Sequence, residues 1–225
     1  DAELTAAAAE RDQALAKFGA KCLALSAGRR KAATALSRAL VASLGELGMA
    51  KAQFRTELAT VEDPDGPVER DGRRFAAAEH GMEQVAFHIS ANAGEAPRPL
   101  ARIASGGEIS RVMLAFKEAI AGRDLVSILV FDEIDAGISG HIAAAVGRKL
   151  QALSTSHQTI AITHLPQIAS LADQHFSMRK RQVKKRTIAE VVVLDEKART
   201  EEIAYLLAGG TISDTARRHA REMLQ

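Results

Sequence analysis

Residues 125–133 read "LVSILVFDE", a short and nearly continuous apolar run that ends in Asp132 and Glu133. A second run of this kind, "TIAITH" at 159–164, ends in His164. Runs rich in β-branched residues are expected of strands that are buried on both faces of a parallel sheet. Helical patterns near 108–121, 139–154 and 166–172 lie around them. This alternation of strands and helices predicts an α/β fold.

The N-terminal stretch predicts a long amphipathic helix. Residues 1–47 contain no proline, and leucines recur at three- and four-residue spacings, as at 36, 40, 44 and 47. Such a helix is long enough to form one arm of a coiled coil over residues 1–48, and Gly45 and Gly48 would end it. The phase slips between Leu25 and Leu36, so a helix packed on its own domain is supported equally.

The remaining patterns add local β-structure to the predicted lobe over residues 49–225. "QFRTELATVE" at 53–62 and "EQVAFHIS" at 83–90 are predicted strands that form a small antiparallel edge. "HFSMRKRQ" and "KRTIAEVVVLD" predict a hairpin, and helices follow near 197–208 and 212–224. The whole is therefore expected to be a mostly parallel sheet with flanking helices and this antiparallel addition.

Composition narrows the class of protein. The 225 residues are 47% hydrophobic, which is enough for a core in one or two domains. A net charge of +2 does not by itself favour nucleic-acid binding. The single cysteine, Cys22, excludes an internal disulfide framework and is typical of a reducing compartment. The sequence contains no uninterrupted apolar run of about 18 residues, so no membrane span is predicted.

The two strand ends carry the candidate chemistry. Ligands bind at the carboxyl ends of strands in open α/β sheets, and an aspartate there can hold Mg²⁺ on phosphates. By that pattern Asp132 is a candidate metal ligand and Glu133 a candidate general base, while His164 could donate to a terminal phosphate. Each feature also has a structural interpretation, because acidic pairs cap helices and histidines fill helix entries.

A glycine-rich helix start precedes them, in "ASGGEISRVMLAF" at 104–116. Gly106 and Gly107 would let the backbone approach a ligand, and the N–H groups at a helix N-terminus favour anions. Ser105 and Glu108 fit a capping box, and both interpretations can hold at once.

The order of these motifs resembles the C-terminal lobe of an ABC-type ATPase head. "SGGE" is similar to its signature motif, "ILVFDE" to its Walker B motif, "DAGIS" to its D-loop and "TH" to its switch histidine. "LARIASGGEISRVMLA", "FDEIDAGISG" and "THLPQIA" together resemble the RecN family, the SMC-like proteins of bacterial DNA double-strand-break repair. Ser139 stands where many such D-loops carry an aspartate, and Asp135 cannot replace it because it lies four positions earlier.

The resemblance implies a mechanism that this chain cannot complete alone. ATP would lie between two engaged heads, with Asp132 holding Mg²⁺, Glu133 activating water and His164 on the γ-phosphate. Ser105, Gly106, Gly107 and Glu108 would dock the nucleotide of the partner head in a homodimer. No G-x-x-x-x-G-K-[ST] sequence is present, so the implied first partner is an N-terminal P-loop lobe.

Other functions remain open at this point. DNA as a partner, and a cytoplasmic, nucleoid-associated location, rest on the resemblance. The basic runs at 29–31 and 179–186 lack interleaved aromatics, and the second is typical of a solvated hairpin tip. One alternative is a non-catalytic coiled-coil or DNA-clamp module. Another is a metal hydrolase that uses Asp132, Glu133, Asp135 and His164.

Overall fold

The computed structural model describes residues 2–102, 105–183 and 186–225. The chain divides into two compact units, one of Asp1–Ala42 with Lys51–Ile103 and one of Ser43–Ala50 with Ala104–Gln225. The predicted division into an arm over 1–48 and a lobe over 49–225 stays a prediction. Ile103 and Ala104 of the predicted signature stretch, and Lys184 and Lys185 of the second basic run, lie outside the described residues.

Helix α1 runs from Ala2 to Glu46 and ends just before Gly48, which has a φ of 82°. That left-handed backbone favours glycine and closes the helix. Residues 2–17 are exposed, whereas buried positions recur on one face from Gly19 onward, including Cys22, Ser26 and Leu40. The part of α1 from Gly19 onward packs on its own domain, and the coiled-coil arm stays a prediction.

The first unit packs α1 against antiparallel strands. These are β1 (Gln53–Thr60), β2 (Val68–Arg70), β3 (Arg73–Phe75), β4 (Glu83–Ser90) and β5 (Arg98–Pro99). Strand β4 pairs with β1 and β5, and β2 pairs with β3. A core cluster joins the helix to these strands through Cys22, Val68, Phe75 and Met82. The strands predicted at 53–62 and 83–90 are confirmed.

The second unit contains the α/β alternation. Its elements are α2 (Gly106–Ile120), β6 (Ile128–Phe131), α3 (Gly140–Leu153), β7 (Gln158–Ala161), α4 (Pro166–Ala169), the hairpin β8 (Phe176–Val183) and β9 (Arg186–Val193), α5 (Glu196–Ala208) and α6 (Asp214–Met223). Lys149 of α3 pairs with Glu118 of α2 and with Glu46, which ties the last turn of α1 to this unit.

The sheets are mixed rather than mostly parallel. Within the described ranges, β6 and β7 are the one parallel pair, and the other pairings are antiparallel. The physical reason is that parallel pairing needs a crossover connection. Helix α3 provides one between β6 and β7, whereas the other pairs are antiparallel. An α/β fold with a long N-terminal helix is confirmed.

The parallel pair is buried on one face only. Leu129 and Phe131 are buried, but the side chains that alternate with them are exposed. This open face consists of Ile128, Val130, Ile160 and Ile162, which are 48–63% exposed. The expectation of strands covered on both faces is therefore wrong for the described chain, because helices cover a single side. In that same described part, no helix is both long and apolar enough to cross a membrane.

Candidate functional site

The predicted chemistry gathers at one edge of the parallel pair. Phe131 lies opposite Ala161 in the register, and the N–H of Ile162 extends the pairing by donating to the Phe131 carbonyl at 3.0 Å. Asp132 and Glu133 follow β6 directly, and His164 lies just past β7. Parallel strands place their carboxyl ends at the same edge, so the two sequence motifs meet there.

The two predicted carboxylates lie in a tight turn. The N–H of Glu133 donates to Oδ1 of Asp132 at 2.9 Å, and the N–H of Ala136 donates to the Glu133 carbonyl at 3.0 Å. Glu133 has a φ of 54°, which is left-handed backbone for a residue that has a Cβ. Such a conformation costs about 1–3 kcal/mol and is found preferentially at functional sites. Both side chains are exposed and accessible to a ligand.

The glycine-rich start of α2 lies against this acidic turn. A Cβ added to Gly106 would overlap the Glu133 carboxylate. A Cβ added to Gly107 would lie 2.8 Å from the Cβ of Ala136 and 3.0 Å from its carbonyl oxygen. The packing of α2 on the turn therefore leaves no room for a Cβ at Gly107, which is a second reason for that glycine beside its predicted contact with phosphate, whereas at Gly106 the Glu133 side chain would have to move. Exposed Ser105 caps the helix by accepting from the Glu108 N–H at 3.4 Å.

Two further side chains of α2 hold the acidic turn, and the sequence analysis missed them. The hydroxyl of Ser110 donates to the Asp132 carbonyl at 2.6 Å. The guanidinium of Arg111 donates to the carbonyls of Ala136 at 2.9 Å and Ile134 at 3.5 Å. Burial lowers the pKa of Arg111, and nearby Glu108 partly offsets this. Their only sequence signal is their position, one turn after the glycines.

A third cluster links the two strand ends. One oxygen of buried Asp135, Oδ2, accepts from the hydroxyl of Thr163 at 2.6 Å and from the backbone N–H of His164 at 2.8 Å. The same oxygen lies 3.0 Å from Nδ1 of His164, whose side chain is 74% exposed. Asp135 thus fastens the loop after β7 to the loop after β6.

The geometry bears on the alternative sites. Among the described residues, no group of three or more His, Cys, Asp or Glu side chains could hold a metal ion. In the first basic run, Arg29 is engaged with Glu83 and with the carbonyl of His80. Arg179, Lys180 and Arg181 of the second run are exposed.

Comparison with known proteins places the fold. No protein-family model matches the chain. The crystal structure of the Smc head domain with a coiled coil and joint from Pyrococcus yayanosii is similar, with a TM-score of 0.50 at 20% identity. The match covers 78% of this chain and 29% of that one. The fold is therefore that of part of an SMC head domain.

Proteins found by sequence similarity share a higher percentage of identical residues with this chain than that structure does. The DNA repair protein RecN of Streptomyces coelicolor is 40% identical over 217 residues, which is 96% of this chain and 38% of that protein. The DNA repair protein RecN of Treponema pallidum is 43% identical over 202 residues, 90% of this chain and 34% of that protein. The chain thus spans about a third of the length of the curated relatives it matches. Over the segment that it shares with them, this chain is similar to the DNA repair proteins named RecN.

Proposed function

We propose that this chain is the C-terminal part of an ATP-hydrolysing head in an SMC-like protein of DNA repair. The observation that carries the proposal is the edge of the β6–β7 pair, where Asp132, Glu133 and His164 follow the strands and the glycine-rich start of α2 packs against Glu133. These are the residue types that bind and cleave a phosphoanhydride. The similar RecN proteins are DNA repair proteins by name, and the repair context comes from them.

Asp132 would hold Mg²⁺. That ion is bound in proteins by one or two carboxylates and otherwise by waters and substrate phosphates, so a single exposed carboxylate fits it better than a closed cage. When bound, Mg²⁺ neutralises the charge of the β- and γ-phosphates.

Glu133 would be the general base. Its carboxylate is exposed at the turn beyond β6, where it can accept a proton from an attacking water. A positioned base of this kind contributes about 10²–10⁴-fold to a rate. The left-handed backbone of Glu133 sets the direction in which its side chain leaves the turn. Ser110 and Arg111 hold that turn in place. His164 would contact the γ-phosphate from the neighbouring loop.

The start of α2 would serve a nucleotide bound to a second head. The N–H groups of Gly106 and Gly107 lie at a helix N-terminus, which favours anions. The hydroxyl of Ser105 is exposed and adds a donor beside them. The assembly would then be a homodimer of heads, in which binding of ATP closes the two heads and hydrolysis releases them.

The open face supports a partner lobe. Four aliphatic side chains, at 128, 130, 160 and 162, are exposed together on one side of the parallel pair. Exposed apolar patches of this kind mark contact surfaces. The chain carries no P-loop sequence and spans about a third of its relatives' length. We assign the open face to the N-terminal P-loop lobe of the family, which would supply the phosphate cradle and further strands.

An ATPase assay tests the proposal. The chain alone is expected to be inactive, and addition of a separately purified lobe carrying the family's P-loop should produce hydrolysis. Val130→Glu on the open face should abolish that gain, whereas Gln151→Glu on an exposed part of α3 is the matched control. Activity of the chain alone would favour a self-sufficient hydrolase. No activity in the mixture would favour the non-catalytic clamp.

Two variants separate the roles within the site. Glu133→Gln should keep ATP binding to the assembled head but lower turnover by about 10²–10⁴-fold and trap engaged heads. Ser105→Arg should leave ATP binding intact and block head engagement, because a bulky cation would occupy the docking position. ATP-dependent dimers of Ser105→Arg in light scattering would contradict docking in trans.

A further inference from the structure

The structure gives the exposed His164 ring a buried acidic partner. Asp135 is 5% exposed, and its Oδ2 lies 3.0 Å from Nδ1 of His164. The same oxygen accepts the backbone N–H of His164 at 2.8 Å and the Thr163 hydroxyl at 2.6 Å. Nδ1 of the ring therefore lies within ion-pair distance of this oxygen, while most of the ring faces solvent.

This arrangement selects one tautomer of the ring. A carboxylate oxygen 3.0 Å from Nδ1 favours a proton on that nitrogen, because the lone pair of an unprotonated Nδ1 would face the lone pairs of the carboxylate. The opposite nitrogen, Nε2, is then the atom free to meet a ligand. To donate a hydrogen bond from Nε2 to a phosphate oxygen, the ring must first take up a second proton from solvent and become an imidazolium, whose charge Asp135 would offset.

Asp135 is itself held by the part of the fold that carries the signature motif. Its neighbour Ala136 accepts from Arg111 of α2 at 2.9 Å. Thr163 in turn caps the following turn, because its Oγ1 accepts the N–H of Leu165 at 3.0 Å. Contacts in the loop after β6 and in the loop after β7 therefore hold Asp135 in place. A residue that orients another side chain needs such support.

We propose that Asp135 is the positioning residue of His164, holding the ring through Nδ1–H so that Nε2 is presented to the terminal phosphate of a nucleoside triphosphate. The phosphate in this statement rests on the proposed function. The Asp135–His164 pairing rests on the geometry alone, so the two can be tested separately.

The pairing is tested on the chain without nucleotide. Long-range ¹H–¹⁵N NMR correlations report which ring nitrogen carries the proton, and His164→Gln assigns the signal among the seven histidines. The wild-type ring is expected as the Nδ1–H tautomer when neutral. Asp135→Ala should populate the Nε2–H form, whereas Thr163→Val should not, because it removes only the hydroxyl. A wild-type Nε2–H tautomer would overturn the pairing even if Asp135→Ala failed to fold.

The phosphate-facing role is tested by ATP hydrolysis with the P-loop lobe present. Asp135→Asn should lower kcat about 10–100-fold with little change in KM, by analogy with the effect of removing a carboxylate that orients a metal-bound histidine. Asp135→Glu should restore part of the rate. Unchanged turnover in Asp135→Asn beside an active wild type would overturn this inference alone. An inactive wild type would overturn the proposed function, and the phosphate-facing role with it.

Discussion

A buried ion pair between α1 and β4 gives a measurable test of how the first unit is held together. The Glu83 side chain is 2% exposed, and its carboxylate accepts from Ser26 and from Arg29, both on α1. Arg29 also donates to the carbonyl of His80 at 2.7 Å. Among the described residues, Arg29→Met would leave the buried carboxylate with the Ser26 hydroxyl as its one remaining partner.

The expected cost follows from burial. Removing one partner of a buried pair typically costs about 3–5 kcal/mol, because the other charge stays desolvated. The Arg29 side chain is 23% exposed, so water can replace part of the lost contact. We therefore expect the free energy of unfolding to fall by about 2–4 kcal/mol. Arg30→Met is the matched control, since Arg30 is exposed on the same helix, and it should cost under about 0.5 kcal/mol.

Urea unfolding followed by far-UV circular dichroism suits this measurement, because α1 spans 45 residues. The double variant Arg29→Met/Glu83→Leu removes both charges and should recover at least about half of the loss, since apolar replacement of a buried pair is often neutral. A cost below about 1 kcal/mol for Arg29→Met would refute the reasoning. Strictly additive effects in the double variant would refute it equally.

Three further perturbations follow from single positions. Gly107→Ala should destabilise the chain by about 1–3 kcal/mol in thermal unfolding because its Cβ meets the backbone of Ala136, whereas Gly210→Ala in open space should not. Burial raises the pKa of the Cys22 thiol, so a thiol reagent should label the native chain only as fast as it opens; immediate labelling would contradict this. Burial, and then the charge of Arg199, lowers the pKa of His175 in the folded chain. The unfolded chain therefore binds more protons at this residue, and the free energy of unfolding should fall as the pH drops below about 6.5. The pH dependence of unfolding in His175→Gln should be shallower, and an unchanged slope would exclude this source.

Local patterns in the sequence were enough to predict individual helices and strands. Period and composition placed β1, β4 and the β8–β9 hairpin within a few residues of their observed bounds, and glycines marked the end of α1. These features depend on neighbours in the chain. The exposed side of β6 and β7 could not be predicted, because an apolar run does not reveal how many faces other elements will cover.

Contacts between distant residues account for what the sequence analysis missed at the site. Arg111 and Ala136 are 25 positions apart, and Asp135 and His164 are 29 apart. Neither pair has a local spacing that predicts it. Asp132, Glu133 and His164 share an edge in the structure because they follow two consecutive strands that pair in parallel, which brings the carboxyl ends of the strands together. The roles of these three residues stay proposals.

The glycines at the start of α2 are poor tests of the proposed phosphate dock, even though they first suggested it. Gly107 is needed whether or not a nucleotide binds, because a Cβ there meets the turn after Glu133. Gly106 faces only the flexible end of the Glu133 side chain, so a methyl group there would move the proposed base as well as any ligand. Ser105 is exposed, and its cap to Glu108 is long at 3.4 Å, so replacing it disturbs the fold least. A loss of head engagement in Ser105→Arg therefore bears on docking itself, whereas the same loss in a glycine variant would not separate docking from folding.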